Sequence, residues 1–379
     1  MKRFSFYAYL VIFILALASC KTDDETDTPQ PEPSSAKGIL MFYPPDGLGD
    51  NSYMDSLCYG AHATALEHNI TQYDICPTDW EQARVQTVFF MSLFAKDDST
   101  NGGDGAEEAP TLFIFADAGY LPFLEQFADD MPKNVTLLVF ESKESNLGFL
   151  STVYMPLYGA SYLAGAASRS LLSAVTLPSG NESPRVLAVL ANGDTQPLLD
   201  ALDGFSDGYG ADWNGSLYDA ADDFSLLGFA AIRLSDGADD ERDPYGFNSA
   251  SFLYAAARNY QKNSPFDLYF PVCGGSVHGL LRYNREKDGG SFYTVGMDSD
   301  LSVYSKQVPF SVVKHMDRAI ETCVGKWLSG SLPHHQDLTL ADGYTGLVIS
   351  KPYAETLSAL MQDATQTAIE KEREYEENK

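Results

Sequence analysis

The sequence predicts an α/β fold with two Rossmann-like lobes, each built on a parallel sheet, around a ligand cleft. At 379 residues and 44 % hydrophobic content the chain can bury a large core, and its length suggests two lobes. Apolar stretches of strand length alternate with helical stretches, which is typical of parallel sheets covered by helices. The alternation begins at Gly38 and restarts at Ser151, so we expect a second lobe to begin there.

Four segments make up the predicted domain organisation. Residues 1–19 form a signal peptide, and residues 20–37 form a lipidated flexible tether. The first lobe takes residues 38–150 plus 308–329, and the second takes residues 151–307 plus 330–379. Extended segments lie near both internal boundaries, and we expect them to cross between the lobes.

The first twenty residues indicate export and lipidation. Lys2 and Arg3 precede an apolar run at 4–17, and Leu17-Ala18-Ser19-Cys20 resembles a bacterial lipobox. Cleavage before Cys20 leaves an acylated, palmitate-bearing cysteine, and the lipid holds the chain on a membrane. An ordinary signal peptide and a membrane-spanning anchor are the alternatives. The lipoprotein interpretation places the chain in the cell envelope of a Gram-negative bacterium, on the periplasmic side or at the outer-membrane surface.

The charge balance excludes one class of partner. Lysine and arginine total 25 against 53 acidic residues, which gives a formal net charge of −28. A surface of this sign repels a phosphate backbone, so we expect no nucleic-acid binding. The acidic stretch 21–37 lacks the apolar residues that would offset the entropy of ordering, which favours a tether.

The first βα unit contains the first candidate site. Residues 38–43 are predicted to form a buried strand, and residues 52–68 a helix. Asp50, Asn51 and Ser52 are typical helix-capping residues, and the free N–H groups at a helix start can bind a polar ligand. No GxGxxG or GxxxxGK[ST] motif occurs, so neither a dinucleotide site nor a P-loop is predicted.

The other predicted elements continue the alternation, and polar residues follow several of the strands. A second βα unit covers 72–94, and a polar surface insertion covers 97–110. The further predicted strands are 111–116, 135–140, 152–155 and 185–190, with helices around 121–130 and at 160–174, 196–209 and 354–379, and additional elements at 225–232, 247–260 and 266–272. Tyr120, Glu141, Asn192 and Gly274 lie at or just after predicted strand ends.

The stretch 292–326 changes character twice. Residues 292–297 have the aromatic and β-branched composition of a buried strand, and Asp298 follows within a short polar turn. Open α/β sheets bind ligands at the carboxyl ends of their strands. An extended segment at 301–310 precedes a predicted helix at 311–328, with Lys314 near its start. We therefore expect Asp298 and Lys314 to face a common space.

Several short motifs, taken in order, resemble those of the basic membrane protein family, the nucleoside-binding lipoproteins with a type 1 periplasmic-binding-protein fold. The matching pieces are Gly49-Asp50-Asn51-Ser52-Tyr53, Tyr162-Leu163-Ala164-Gly165, Gly246-Phe247-Asn248, Gly274-Gly275 and Val295-Gly296-Met297-Asp298-Ser299-Asp300, with Lys314 at the position of the family's lysine. The resemblance covers nearly all of residues 38–350.

The resemblance implies a solute-binding lipoprotein that captures a small ligand, above all a purine nucleoside, for sensing or for uptake through an ABC transporter permease. It implies that the Asp298 carboxylate accepts hydrogen bonds from ribose hydroxyl groups and that Lys314 helps to hold the ligand. An aromatic ring, from Tyr53 or Phe247, would enclose the base. The other residues that we predict to contact the ligand are Asp50, Asn51, Tyr120, Glu141, Gly274 and Gly275, with capping of the helix as the alternative role of Asp50.

The departures from the family pattern leave other functions open. Met54 and Ser249 replace polar residues of the family, and Glu141 replaces an aspartate, so the base preference is not predicted. Another polyhydroxylated solute, or a role as a surface adhesin, is an alternative. A hydrolase is less favoured: Ser276 and His278 lie near glycines, but the GxSxG motif does not occur. We expect neither an enzyme nor a cofactor.

The histidine and cysteine spacings predict no metal site. The pair His334 and His335 and the pair His62 and His68 each lack a third ligand at a convincing spacing. The cysteines after Cys20 form no CxxC pair, and we expect them to be small buried side chains, with one disulfide as the alternative. They are Cys58, Cys76, Cys273 and Cys323.

Overall fold

The computed structural model describes residues 38–45, 47–95, 110–143, 147–191, 196–211, 213, 215–219, 227–234, 246–287 and 292–379. The predicted signal peptide, Cys20, the tether and Asn192 lie outside these residues, as does most of the predicted insertion at 97–110. In the part of the chain that is described, no helix has both the length and the apolar character needed to cross a membrane.

A parallel sheet of six strands forms the centre of the first lobe. Its strands are β1 Gly38–Phe42, β2 Gln72–Ile75, β3 Thr111–Phe115, β4 Val135–Phe140, β5 Ser151–Tyr154 and β12 His335–Asp337. Their order across the sheet is β12-β5-β4-β3-β1-β2, and every pairing is parallel. β1, β3 and β5 are buried along their whole length, because helices cover both faces of the sheet.

Four helices cover this sheet: α1 Tyr53–Glu67, α2 Trp80–Ala95, α3 Leu121–Leu124 and α8 Met316–Leu328. Successive residues of β1 point to opposite faces, as they do in any strand. Ile39 and Met41 therefore join the apolar layer that contains α1 and α8, while Leu40 and Phe42 join the layer that contains α2.

The second lobe is built on a parallel sheet of five strands. They are β6 Val186–Leu190, β7 Tyr218–Asp219, β8 Phe229–Arg233, β9 Leu268–Val272 and β10 Tyr293–Thr294, in the order β10-β9-β6-β8-β7. The helices are α4 Tyr158–Ala174, α5 Gln196–Tyr209, α6 Ala250–Asn263 and α7 His278–Glu286. α4 and α5 approach so closely that a Cβ at Gly208 would lie 2.0 Å from the Tyr162 carbonyl oxygen, so glycine is required there.

The chain passes between the lobes three times. The first passage joins β5 to α4, the second leads from β10 to α8, and the third leads from β12 into the second lobe. Strands β11 Phe310–Lys314 and β13 Thr345–Ile349 lie on the second and third passages and pair antiparallel with each other. They form a small hinge sheet, and helix α9 Lys351–Glu377 follows it.

Helix α9, on the side of α4, links the first and third passages through hydrogen bonds. The Glu372 carboxylate on α9 is buried and accepts hydrogen bonds from the backbone N–H groups of Gly159 (2.8 Å) and Leu340 (3.0 Å). Gly159 stands at the end of the first passage and Leu340 within the third. Burial raises the pKa of Glu372 to about 7, and the two N–H groups oppose that rise.

The predicted α/β class is confirmed, with corrections in local detail. The strand predicted at 152–155 was assigned to the second lobe, but Ser151–Tyr154 pairs with β4 in the first sheet, and β12 extends that same sheet. Residues 311–314 were predicted as helix and form a strand, since Val312 and Val313 suit β structure as well as the helical period. The helix predicted around 121–130 is only a series of short helical turns.

Candidate ligand-binding site between the lobes

Polar side chains from both lobes meet where the strands end. In the first lobe, Asp117 closely follows β3 and Glu141 directly follows β4. Asp298 comes shortly after β10 of the second sheet, and Lys314 is the last residue of β11. The carboxyl ends of parallel strands are where open α/β sheets bind ligands. We therefore take this edge as the candidate site.

Backbone hydrogen bonds place Lys314 beside Asp298. Gly296 donates to the Phe310 carbonyl oxygen (2.9 Å) and accepts from the N–H group of Val312 (2.9 Å), and Lys314 donates to the Asp298 carbonyl oxygen (3.0 Å). A Cβ at Gly296 would lie only 2.0 Å from the Ser311 hydroxyl oxygen, so the two segments could not approach in this way with any other residue there.

Lys314 and Glu141 form a buried ion pair at the site. The Lys314 ammonium donates to Glu141 Oε1 at 2.7 Å, and the two side chains are 4 % and 13 % exposed. The same ammonium lies 5.1 Å from the centre of the Tyr53 ring, which is within cation–π range. The pair therefore joins the hinge sheet to the first lobe and sets an aromatic face beside the charge.

Two carboxylates of the site retain unused acceptor atoms: Glu141 of this pair and Asp298 beside it. Glu141 Oε2 is buried and, among the described residues, has no hydrogen-bond partner. No described residue donates a hydrogen bond to the Asp298 side chain either. A buried acceptor that lacks a partner costs free energy, so Glu141 Oε2 favours a ligand that brings hydrogen-bond donors. The Asp298 side chain is partly exposed and can accept from the same ligand.

The electrostatics of the site are dominated by acids. Burial raises the pKa of Asp298 to about 6; the Lys314 ammonium opposes this rise, and the charges of Asp50 and Glu141 add to it. Burial also raises the pKa of Asp117, and the charge of Glu141 adds to that rise. Four carboxyl groups thus share one ammonium group, which favours neutral or cationic ligands over anionic ones.

The backbone is strained at this edge. Four described non-glycine residues have positive φ, and three of them belong to the candidate site: Asn51 (51°), Glu141 (59°) and Asp298 (65°). Left-handed backbone is unfavourable for residues with a Cβ, and such residues concentrate at ligand sites, where they aim a side chain. The strain at Glu141 and Asp298 supports a binding role for the two carboxylates.

One predicted aromatic residue comes from each lobe. Tyr53 is 9 % exposed at the start of α1, and its hydroxyl donates to the Ala116 carbonyl oxygen at 3.4 Å. Phe247 is 37 % exposed and packs against Gly274, where a Cβ would lie 3.2 Å from the Phe247 Cδ1 atom. Gly274 has φ of 49°, so the Gly274-Gly275 turn can present its backbone beside this ring.

The loop that precedes α1 touches the second lobe. Ser52 donates to the Met297 carbonyl oxygen (2.9 Å), and Ser299 donates to the Asn51 carbonyl oxygen (3.3 Å). His278 Nε2 lies 3.2 Å from the Asp50 carbonyl oxygen. These contacts bring the first βα loop and the turn after β10 together, so Asn51 serves as a contact between the lobes.

Two predicted ligand contacts have other roles in the structure. The Asp50 carboxylate accepts hydrogen bonds from the N–H groups of Ser52, Met54 and Asp55, at 2.9 to 3.2 Å, so it caps α1. Tyr120 was predicted to contact ligand, but it is fully buried in the first-lobe core and its hydroxyl donates to the Tyr43 carbonyl oxygen. Position after a strand end does not by itself show which way a side chain points.

For two further residues of the site, Lys314 and Asp117, the structure differs from the sequence prediction. Lys314 reaches the site from the end of a strand, whereas the sequence predicted that it would lie near the start of a helix. Asp117 was not among the predicted contacts, although its position after β3 is the same signal that singled out Glu141. Its Oδ1 atom accepts from the Gly119 N–H group at 2.6 Å.

The Ser276 and His278 pair is not arranged as a nucleophile and its base. The Ser276 hydroxyl is buried, donates to the Gly246 carbonyl oxygen (2.6 Å) and accepts from the Ser249 N–H group (2.7 Å). The His278 ring contacts the Asp50 carbonyl oxygen and the Tyr304 ring. Ser276 therefore fixes the loop that carries Phe247.

No protein-family model matches the sequence, and no curated protein matches it either. Solved structures do match. A solute-binding protein of an ABC transporter system from Aeropyrum pernix K1 is 15 % identical with a TM-score of 0.62, over 89 % of this chain and 86 % of that one. The periplasmic component of an ABC-type sugar transport system from Hahella chejuensis is 18 % identical with a TM-score of 0.53, over 82 % and 100 %.

A third similar structure is an ABC transporter solute-binding protein from Agrobacterium vitis with bound allitol. It is 10 % identical with a TM-score of 0.53, over 86 % of this chain and 99 % of that one. Identities this low show the fold alone. The chain therefore has the two-lobed fold of periplasmic solute-binding proteins, and the resemblance to the basic membrane protein family in particular is not confirmed.

Proposed function

We propose that this protein binds a neutral, polyhydroxylated solute between its lobes, and that the solute is a nucleoside. The observation that carries the proposal is the pair of carboxylates, Glu141 and Asp298, that keep unused acceptor atoms beside the buried ammonium of Lys314. A vicinal diol supplies two donors with the spacing of a carboxylate. Hydrogen bonds to charged groups contribute about 1.5–3 kcal/mol each, which is enough to select such a ligand.

Each residue has a separate part in this proposal. Asp298 accepts from the two ribose hydroxyl groups, and the free Oε2 atom of Glu141 accepts a further donor. Lys314 holds the Glu141 side chain in place through their ion pair and donates one of its remaining hydrogens to a ligand oxygen. Tyr53 and Phe247, one from each lobe, enclose the base, and stacking adds about 0.5–1.5 kcal/mol.

The charge of the site separates nucleosides from nucleotides. Four carboxyl groups around one ammonium repel a phosphate, whereas an uncharged riboside brings only hydrogen-bond donors and acceptors. The same repulsion excludes sugar phosphates as ligands of this site. We therefore expect AMP to bind more weakly than adenosine by at least about tenfold.

The setting of the protein remains part of the proposal. We infer that Cys20 is acylated and anchors the chain in the cell envelope, with residues 21–37 as the tether. From there, a two-lobed binding protein would deliver its solute to an ABC transporter permease or report its presence. Metabolic acyl labelling tests the anchor: a Cys20→Ala protein that still partitions fully with membrane contradicts it.

A sugar or polyol is the second candidate ligand. Two of the similar structures are a component of a sugar transport system and a solute-binding protein with bound allitol, and a carboxylate pair suits any vicinal diol. An adhesin, by contrast, needs no unused acceptors in an enclosed site. A free sugar lacks the base that the two aromatic rings would enclose, so a comparison of inosine with ribose separates the two ligand classes.

A ligand panel tests the proposed function. Melting temperature is measured with inosine, adenosine, guanosine, uridine, ribose and allitol, with AMP as the anionic control, and chromatography checks that each compound is recovered. A purine riboside should raise the melting temperature most and be returned unchanged, because a ligand that binds only the folded state stabilises it. No shift with any compound would contradict a solute-binding function, and consumption of a compound would favour an enzyme.

A further inference from the structure

A second cluster of polar side chains lies on the first lobe, outside the residues of the proposed ligand site. It comprises Cys58 and His62 on α1 and Asp74 on the edge strand β2. One thiol, one imidazole and one carboxylate form a donor set that suits zinc. The spacing of residues along the sequence could not reveal this cluster, because Asp74 comes from a different element than Cys58 and His62.

Local structure explains why the three side chains meet. Cys58 and His62 are four residues apart on a helix, so they lie on the same face, one turn apart. Asp74 lies on β2, which pairs with β1 in the sheet that α1 covers. One donor atom from each residue lies within 4.8 Å of the other two. The His62 Nε2 to Asp74 Oδ2 distance is 2.7 Å.

These distances are close to those of a metal site. Zinc bonds of about 2.0–2.3 Å in a tetrahedron place ligand atoms about 3.3–3.8 Å apart. The His62 to Asp74 distance is about 0.5 Å shorter than this range, and the 4.8 Å bound on the other separations is about 1 Å longer, so small side-chain rotations suffice to reach it. The His62 side chain is 54 % exposed and that of Asp74 is 27 % exposed, so an ion can enter from solvent.

Hydrogen bonds from neighbouring residues also fix the orientation of the Asp74 carboxylate. Asp74 Oδ1 accepts hydrogen bonds from the Tyr43 hydroxyl (3.2 Å) and the Gln72 amide (2.8 Å), which leaves Oδ2 directed at His62. Partners of this kind orient a metal ligand, and their loss typically lowers metal affinity by about 10–100-fold. Tyr43 is fully buried, so its hydroxyl position is fixed.

We propose that Cys58, His62 and Asp74 bind one zinc ion, with water in the fourth position. Binding exchanges the thiol proton for the metal: the S–H bond breaks, the proton passes to solvent and the thiolate donates its electron pair to zinc. Because this exchange releases a proton, zinc affinity should increase with pH. The ion would link α1, which begins at Tyr53, to the sheet edge.

Cobalt and zinc titrations of the reduced full-length protein test the proposal. Co²⁺ bound through a thiolate gives a near-ultraviolet charge-transfer band, which Zn²⁺ should abolish by competition. Cys58→Ser should remove that band. His62→Gln and Asp74→Asn should weaken binding by at least about tenfold, and Tyr43→Phe by about tenfold. Circular dichroism confirms that each variant is folded.

Matched controls use the same residue types outside the cluster. Cys76→Ser removes the next cysteine along the chain, and His68→Gln removes the histidine that directly follows α1. Neither change should alter the band or the affinity. An unchanged band in Cys58→Ser, no band in the wild-type protein, or equal losses in the controls would overturn the assignment. None of these results depends on the nucleoside site.

Discussion

The pH dependence of nucleoside binding offers a test of the role assigned to Asp298. Burial raises the pKa of its carboxyl group to about 6, well above the ordinary value for aspartate. About 0.97 of this group is ionised at about pH 7.5, and about 0.09 at about pH 5. If only the carboxylate accepts both ribose hydroxyl groups, inosine affinity should fall by about tenfold between these two pH values.

Calorimetric titration with inosine at both pH values measures the effect, and Asp298→Asn is the matched variant. The amide cannot ionise, so the variant should bind weakly at both values and lose most of the pH dependence. Asp50 and Asp117 also have raised pKa values, so a small residual slope is expected. A tenfold fall that persists in Asp298→Asn, or a wild-type affinity that does not change, would refute the assignment.

Unfolding at low pH does not account for the same result. A group whose pKa is higher in the folded state than in the unfolded chain binds protons more tightly when folded. The contribution of Asp298 to stability is therefore fully present below the unfolded pKa near 3.8 and is lost as the pH rises through about 6. Acidification from about pH 7.5 to 5 strengthens this contribution while weakening nucleoside binding. Denaturant melts of the ligand-free protein at both pH values separate the two effects.

Three substitutions test the architecture around the site. Lys314→Met leaves the Glu141 carboxylate buried without its partner, so the free energy of unfolding should fall by about 3–5 kcal/mol. Adding Glu141→Gln should recover part of that loss. If the double variant recovers none of it, the ion pair is contradicted. Gly296→Ala places a Cβ against Ser311 and displaces Lys314, so inosine affinity should fall at least about tenfold. Adding Ser311→Gly should restore part of the affinity. Unchanged affinity in Gly296→Ala would show that this close approach is unnecessary. Glu372→Ala leaves two buried N–H groups unpaired, so the free energy of unfolding measured in denaturant melts should fall by about 2–4 kcal/mol. A loss below about 1 kcal/mol would show that α9 does not stabilise the first and third passages.

The alternation of strands and helices was sufficient to predict the two lobes. Apolar runs such as those at β1 and β3 are buried on both faces, so their composition carries the signal directly. The sequence could not show which sheet a strand joins, because the β-branched and aromatic residues of Ser151–Tyr154 suit a strand of either lobe. Its pairing with β4 is a tertiary contact that local patterning does not record.

Two carboxylates of the candidate site were predictable from the sequence, and its other members were less so. Asp298 and Glu141 follow strand ends, and the parallel sheets bring those ends together. Lys314 was placed on a helix because Val312, Val313 and Met316 fit a helical period, but β-branched residues pair equally well in a hinge strand. Tyr120 follows a strand end as well, yet it turns into the core, where aromatic neighbours surround it.

We propose that Asp298 holds the ribose of a nucleoside. Calorimetry with inosine and with its 2′,3′-dideoxy analogue, on wild-type protein and on Asp298→Asn, is the decisive test. The substitution should weaken inosine binding by about 1–3 kcal/mol, because the charged acceptor of two hydroxyl groups is lost. The dideoxy analogue lacks those hydroxyl groups, so its binding should change much less. Equal losses for the two ligands would contradict the claim.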